Sequence, residues 1–204
     1  MPVLESATPV LMLWGIVGYL LGSIPSGVIL AKALNLGDLR EIGSGNIGAT
    51  NVLRTGDKRA AALTLIFDML KGVLAVMLAK TFASPDAVQV AGLMAFLGHC
   101  FPVWLKFKGG KGVATYLGIL LGMAPVLFIV AAVLWLVVAA VSRQSSLAAL
   151  VAAGWIPIVA SITGFFSMFW LGVALALLIY ARHWRNILRL REGTEPRIGA
   201  SSDG

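Results

Sequence analysis

The sequence predicts an all-α, polytopic integral membrane bundle of seven transmembrane helices, with the N-terminus outside and the C-terminus cytoplasmic. Three observations predict it. Apolar residues make up 59% of the 204 and charged residues only 12%, far from the mixture of a water-soluble domain. The apolar residues gather in long uninterrupted runs, of the length that crosses a hydrocarbon core of about 30 Å. Lys and Arg, 16 against 9 Asp and Glu for a net charge of +7, are sorted into the polar stretches between runs, as expected of cytoplasmic loops.

The first run, Val10 to Leu34, covers about 25 residues and predicts a spanning helix. No basic residue precedes it and the first Lys is Lys32 at its far end. That is the reverse of a secretory signal's charge order, so the helix is expected to be retained with its N-terminus out. A second span is expected from about Arg59 to Lys80 and a third from about Ala87 to Leu105, joined by an outside turn at Thr81 to Asp86. Leu147 to Tyr180 is about 34 residues, roughly 50 Å as one helix, and is split near Thr163 and Gly164. Val113 to Val141 is split near Ala124 and Pro125, because Pro starts helices and disfavours helical geometry in the residue before it.

Charge selects the seven-span count. With seven, Asn35 to Lys58, Lys106 to Gly112, Arg143 and the arginine-rich tail all fall inside. A six-span chain would put Arg143 outside and reverse the tail; leaving both long runs whole gives five spans, the alternative count. Residues 1–9 and 195–204 are expected to be flexible ends of a single domain, 1–204. Cys100 is the only cysteine, so no intrachain disulfide can form. No His, Cys or carboxylate cluster has metal-ligand spacing, no Ser/His/Asp hydrolase signature is present, and nucleic acid is not an expected partner.

Three polar segments return to the predicted inside face. The first is Gly43-Ser44-Gly45-Asn46-Ile47-Gly48-Ala49-Thr50-Asn51, followed by Arg54. Its glycines let the backbone approach a ligand, and Ser44, Asn46, Thr50, Asn51 and Arg54 supply side-chain groups suited to phosphate oxygens. The second is Lys108-Gly109-Gly110-Lys111-Gly112-Val113-Ala114-Thr115, directly before a helix whose positive dipole end favours an anion. It is not a nucleotide P-loop, because Gly112 stands where that motif requires Ser or Thr. The third is Arg182-His183-Trp184-Arg185-Asn186, where His183 and Asn186 at i and i+3 share a helix face. Ser146, after Arg143 in another inside turn, offers a hydroxyl or a helix cap. Within the spans, Asp68 and Lys71 read as a neutralising pair and His99 as a loop-bracing residue.

On these residues the chain resembles the bacterial membrane acyl-phosphate:glycerol-3-phosphate acyltransferases. The resemblance rests on Gly22-Ser23-Ile24-Pro25-Ser26-Gly27, on 43–51 with Arg54, on Gly98-His99 through Phe101-Pro102 to Thr115, and on Arg182-His183 with Asn186, Arg189-Leu190 and Gly193. It implies a single membrane acyltransferase domain that transfers a fatty acyl group from acyl phosphate to the 1-hydroxyl of glycerol 3-phosphate. The products are lysophosphatidic acid and phosphate, in the first acylation of phospholipid synthesis, on the cytoplasmic face of the bacterial inner membrane. It also implies no cofactor and a chain functional as a monomer. Carried over by motif, Ser44, Arg54, Lys111, His183 and Asn186 are catalytic. Asn46, Thr50, Asn51, Gly109, Gly110, Gly112, Thr115 and Ser146 bind substrate and its phosphate, and Glu195 is a structural tail residue. Gln144 and Ser145 depart from the family's approach to Ser146.

An activated acyl phosphate needs charge stabilisation at its departing phosphate more than a covalent relay, which cations and amides can supply. Either His183 or a substrate phosphate can take the hydroxyl proton. The competing class is a transporter of anionic metabolites, whose site belongs near the membrane midplane.

Overall fold

A computed structural model describes residues 4–199. All regular structure among the described residues is helical: α1 (Thr8–Gly22), α2 (Ser26–Ala33), α3 (Ala49–Val52), α4 (Lys58–Phe82), α5 (Pro85–Cys100), α6 (Val113–Met123), α7 (Pro125–Ser142), α8 (Ser145–Ile162), α9 (Phe169–Arg182) and α10 (Trp184–Arg191), with three single 3-10 turns. Five stretches are long and apolar enough to cross a membrane unaided. They are Thr8–Ala33, Lys58–Phe82, Pro85–Leu105, Pro125–Ser142 and Ser145–Ile162, and Phe166–Arg182 with Trp184–Arg191 adds a sixth as a pair bent by 65°. The chain divides into two compact units between Met123 and Ala124.

In the first unit, α1 and α5 pack along a seam of small residues. A Cβ at Gly18 or Gly22 would strike the backbone of Ala91 or Ala95, and one at Gly98 the backbone of Tyr19 and Ser23. Such close approach brings dispersion contacts where lipid tails leave little hydrophobic drive for helix association. The seam makes α1 and α5 parallel neighbours, and both ends are tied. Asp86 accepts from Glu5 N at 3.0 Å, Ser6 N at 2.9 Å and Ser6 Oγ at 2.8 Å, and Tyr19 donates its hydroxyl to Phe101 O at 2.8 Å. Glu5 and Ser6 thus tie the chain before α1 to the first turn of α5, and Thr8 and Pro9 begin α1. Residues 1–3 lie outside the described residues.

The first apolar run is not one continuous helix. It breaks at Ser23–Pro25, and Lys71 Nζ donates to the Ile24 carbonyl at 2.8 Å. An open backbone group at such a break survives in a membrane only when the protein itself satisfies it. Asp57 starts α4 by accepting from Arg59 N and Ala60 N at 2.8 and 2.9 Å. The short α6 runs parallel to α4. Gly72 meets Thr115 and Gly118, Gly118 meets Met69, and Gly122 meets Val76. Since α6 begins beside Asp68, about 15 Å along α4 from Lys58 at 1.5 Å per residue, its 11 residues start recessed rather than at the helix ends.

In the second unit Pro125 opens α7 at its first turn, and Arg143, left-handed at φ 56°, turns the chain into α8. Thr163 and Gly164 end α8 where the long run was split, Gly164 taking φ 84°. Tyr180 of α9 donates its hydroxyl to Leu150 O of α8 at 3.1 Å. After His183 the chain bends into α10, which is basic on its exposed side.

Candidate active site

The loop 35–57 is not the open turn its composition suggests. Ile47 and Leu39 are buried, and Leu39 belongs to an apolar cluster with Ala31, Val52, Ala60 and Ala61. Ile47's carbonyl lies where a Cβ on Gly27 of α2 would go. Asn51, 2% exposed, organises the polar end. Its Oδ1 accepts from Ser44 N at 3.1 Å and Ser44 Oγ at 3.3 Å, and its Nδ2 donates to Leu39 O at 2.7 Å. Asn51 thus braces the loop with both amide atoms engaged. Gly43, at φ 53°, lies under the Arg54 side chain, which a Cβ there would strike. The loop therefore presents Ser44, Thr50 and Arg54, all exposed, while Asn46 is half-buried with an Oδ1 that has no hydrogen-bond partner among the described residues.

In the second loop the amides of Gly109 and Gly110 donate to Cys100 O and His99 O, each at 3.1 Å, closing the carbonyl end of α5. Glycine is needed here for space: a Cβ on Gly109 would strike His99 O and Pro102, and one on Gly110 the His99 imidazole. Gly112, at φ 84°, lies on the Phe96 ring. Lys111 sits half-buried between these two pinned glycines at the start of α6. Thr115 is fully buried and donates to Asp68 O at 2.9 Å, a contact that fastens α6 to α4 and points to packing rather than to a ligand.

Beneath the second loop lies a polar cluster of the residues that read, from their spacing, as a neutralising pair and a loop-bracing histidine. Lys71 Nζ is 2.6 Å from Asp68 Oδ1 and 3.1 Å from His99 Nδ1. Asp68 Oδ1 is 3.6 Å from His99 Nδ1 and also accepts from Ser26 Oγ. Two ionisable residues three apart inside an apolar run were the signal. Because Ser26 carries this cluster and adjacent Gly27 carries Ile47, both glycine-rich loops are anchored at neighbouring residues of α2.

In the second unit His183 and Asn186 are both buried. His183 Nδ1 is 2.8 Å from Ile179 O; a carbonyl can only accept, so Nδ1 carries the proton and a neutral ring leaves its lone pair on Nε2. Asn186 Nδ2 donates to Glu195 Oε1 at 2.7 Å, Ser146 Oγ to the same oxygen at 2.6 Å, and Arg189 Nε to Oε2 at 2.8 Å. Burial would push the Glu195 carboxyl up, but the bonds from Ser146, Asn186 and Arg189, with Arg189's charge, outweigh it and hold it below the usual carboxylate range. Beyond it, Ile198 N donates to Arg143 O at 2.6 Å and Arg143 donates from its guanidinium to Ile198 O at 3.1 Å. These bonds join the tail to the α7–α8 turn as far as Ile198; residues 200–204 lie outside the described residues.

The family model described as glycerol-3-phosphate acyltransferase matches residues 12–193. Among similar chains, the glycerol-3-phosphate acyltransferase of Ruegeria sp. (strain TM1040) is 57% identical over 98% of this chain and 98% of its own. That of Roseobacter denitrificans is 55% identical over 96% and 98%. Among solved structures, PlsY (YgiH), an integral membrane glycerol 3-phosphate acyltransferase, superposes in its glycerol 3-phosphate form with a TM-score of 0.87. It is 38% identical, and the match covers 93% of this chain and 96% of that one. Its lysophosphatidic acid form gives a TM-score of 0.86 at 36% identity, over 93% and 95%. The family match spanning 12–193, the relatives at over half identity and the shared helical membrane fold together place this chain in the integral membrane glycerol-3-phosphate acyltransferase family.

Proposed function

We propose that this protein transfers a fatty acyl group from acyl phosphate to the 1-hydroxyl of glycerol 3-phosphate at the cytoplasmic face of the bacterial inner membrane. It does so as a monomer without a cofactor, in a seven-span topology with the N-terminus outside and the C-terminus cytoplasmic. The observation that carries the reading is the family match along 12–193. The hydroxyl oxygen attacks the acyl carbonyl carbon, the bond from that carbon to the phosphate oxygen breaks, and inorganic phosphate leaves beside lysophosphatidic acid. Arg54 and Lys111 neutralise phosphate charge as it develops. Ser44, Asn46 and Thr50 add hydrogen bonds to substrate oxygens, and Asn51 holds Ser44 in place. Gly110 and Gly112 set the backbone of Lys111, Gly109 closes the α5 end, and Thr115 fixes α6. His183 positions glycerol 3-phosphate through Nε2. The hydroxyl proton goes either there or to the departing phosphate, which is itself a base in the same range. Asn186 and Ser146 act through the Glu195 clasp that orients the His183 turn.

The test uses purified protein with acyl phosphate and glycerol 3-phosphate. Phosphate release should require both substrates and fall by about 10²-fold or more in Arg54→Ala and Lys111→Ala. Acyl-CoA should not replace the donor. Release that ignores glycerol 3-phosphate, or equal turnover with acyl-CoA, would overturn the reading. Cysteines placed in 35–58, 106–112 and at Arg143 should all react with a membrane-impermeant thiol reagent only from the cytoplasmic side.

A further inference from the structure

The geometry points to Asp68 and Lys71 as positioning residues of the reaction, acting through His99 on the turn that holds Lys111. This rests on the reading that the 108–112 loop engages substrate phosphate. Asp68, Lys71 and His99 are 3%, 6% and 4% exposed as residues. Two full charges and an imidazole are rarely kept at such burial for stability alone, since a buried ion pair can usually be replaced by apolar residues without loss. Inside a membrane helix, ionisable groups mark function by default.

The chemistry of Lys71 fixes the ring. An ammonium has three N–H donors and no lone pair, and Lys71 Nζ faces three acceptors: Asp68 Oδ1 at 2.6 Å, Ile24 O at 2.8 Å and His99 Nδ1 at 3.1 Å. His99 Nδ1 must therefore be unprotonated, and the ring proton lies on Nε2. That edge of the ring is the one a Cβ on Gly110 would strike, while the His99 carbonyl accepts from Gly110 N. One residue thus grips Gly110 from two sides. Gly112 is held on Phe96, three residues earlier on α5. Lys111 lies between two glycines pinned to the same helix, so the place of its Cα follows the orientation of His99, which Lys71 and Asp68 set. A slack ring would displace the cation from the phosphate, a loss that appears in phosphate affinity before it appears in folding.

The test is the double variant Asp68→Asn/Lys71→Met in the full-length protein, which removes both buried charges together and leaves no unpaired ion. Its thermal unfolding midpoint should fall by no more than about 10 °C, through loss of the Lys71 donor to the Ile24 carbonyl, and by less than stranding either charge alone. Its KM for glycerol 3-phosphate and the inorganic phosphate concentration giving half inhibition should both rise about tenfold. A folded double variant with wild-type values for both overturns the inference. Should it fail to fold, His99→Asn and His99→Leu decide. The Asn side-chain oxygen offers Lys71 an acceptor near the Nδ1 position, so Asn should retain phosphate affinity that Leu loses; equal losses overturn the inference. Lys111→Ala separates the two layers. If it leaves KM and phosphate inhibition unchanged, the phosphate reading of the loop fails and takes this inference with it. If it raises both while the double variant does not, only the inference fails.

Discussion

Each unit of this protein holds a buried carboxylate against a cation, a hydroxyl and a nitrogen-bearing side chain, yet the two clusters are built for different work. In the first, Asp68 meets Lys71, Ser26 and His99, and both members of the ion pair are nearly closed to solvent. In the second, Glu195 meets Arg189, Ser146 and Asn186, with the Arg189 side chain 35% exposed. Removing the carboxylate strands a buried ammonium in the first and frees only a partly solvated guanidinium in the second. Desolvation makes the first cluster unforgiving, and water at Arg189 makes the second an adjustable clasp.

The largest expected effect comes from breaking the first cluster asymmetrically. Asp68→Leu leaves the Lys71 ammonium buried without its counterion and should cost about 3–5 kcal/mol, read as a fall in the thermal unfolding midpoint in detergent. A cost near that of Glu195→Gln would erase the contrast. Gly110→Ala comes next: its Cβ would meet the His99 ring, so activity should drop by about 10²-fold while the fold survives. Its counterpart in the second unit is Gly193, which has φ 72° but open space around it. Gly193→Ala should cost about 1 kcal/mol from backbone strain, with little change in KM.

Helix ends and breaks were readable because single residues dictate them: Pro125 opens α7, Gly164 ends α8, and the ionisable pair in α4 stood out in its apolar run. What could not be read depends on contacts between elements. The 11-residue α6 is short because Gly118 and Gly72 bring it against the middle of α4, and no local pattern states where along a neighbour a helix begins. The direction of the Gly109 and Gly110 amides is decided by open carbonyls at the end of α5, so a glycine-rich motif that suggests an anion cradle is partly a helix closure. Asn51, Thr115 and Ser146 carry the polarity of ligand contacts, but partners 12, 47 and 49 residues away engage them.

Milder than Asp68→Leu is the response of the Glu195 clasp. Glu195→Gln keeps the shape but gives up the charge and sets an amide N–H against one of the three donors, for about 1–2 kcal/mol after solvent screening at Arg189. Acid should mimic it. The Glu195 pKa is lowered in the folded state, so its stabilisation is fully present above the ordinary carboxylate pKa and fades as pH falls through the lowered one. Hydrogen exchange at 193–198 should accelerate in acid in wild type and be less sensitive to pH in Glu195→Gln. Equal pH dependence in the two proteins would assign the acid response elsewhere.

The finest test of the contrast involves almost no energy. The chain has 2 histidines, one in the first cluster and one three residues before Asn186 of the second, and their surroundings demand opposite tautomers. His99 takes a donor from Lys71 at Nδ1 and must carry its proton on Nε2; His183 gives its Nδ1 proton to Ile179 O. Nitrogen-15 NMR on histidine-labelled protein in lipid at neutral pH should therefore resolve one ring of each kind, assigned by His99→Gln. Lys71→Met should release the first ring toward a tautomer mixture and leave the second unmoved. Two rings of the same tautomer in wild type would mean that Lys71 does not govern His99, and the first cluster would then be as adjustable as the second.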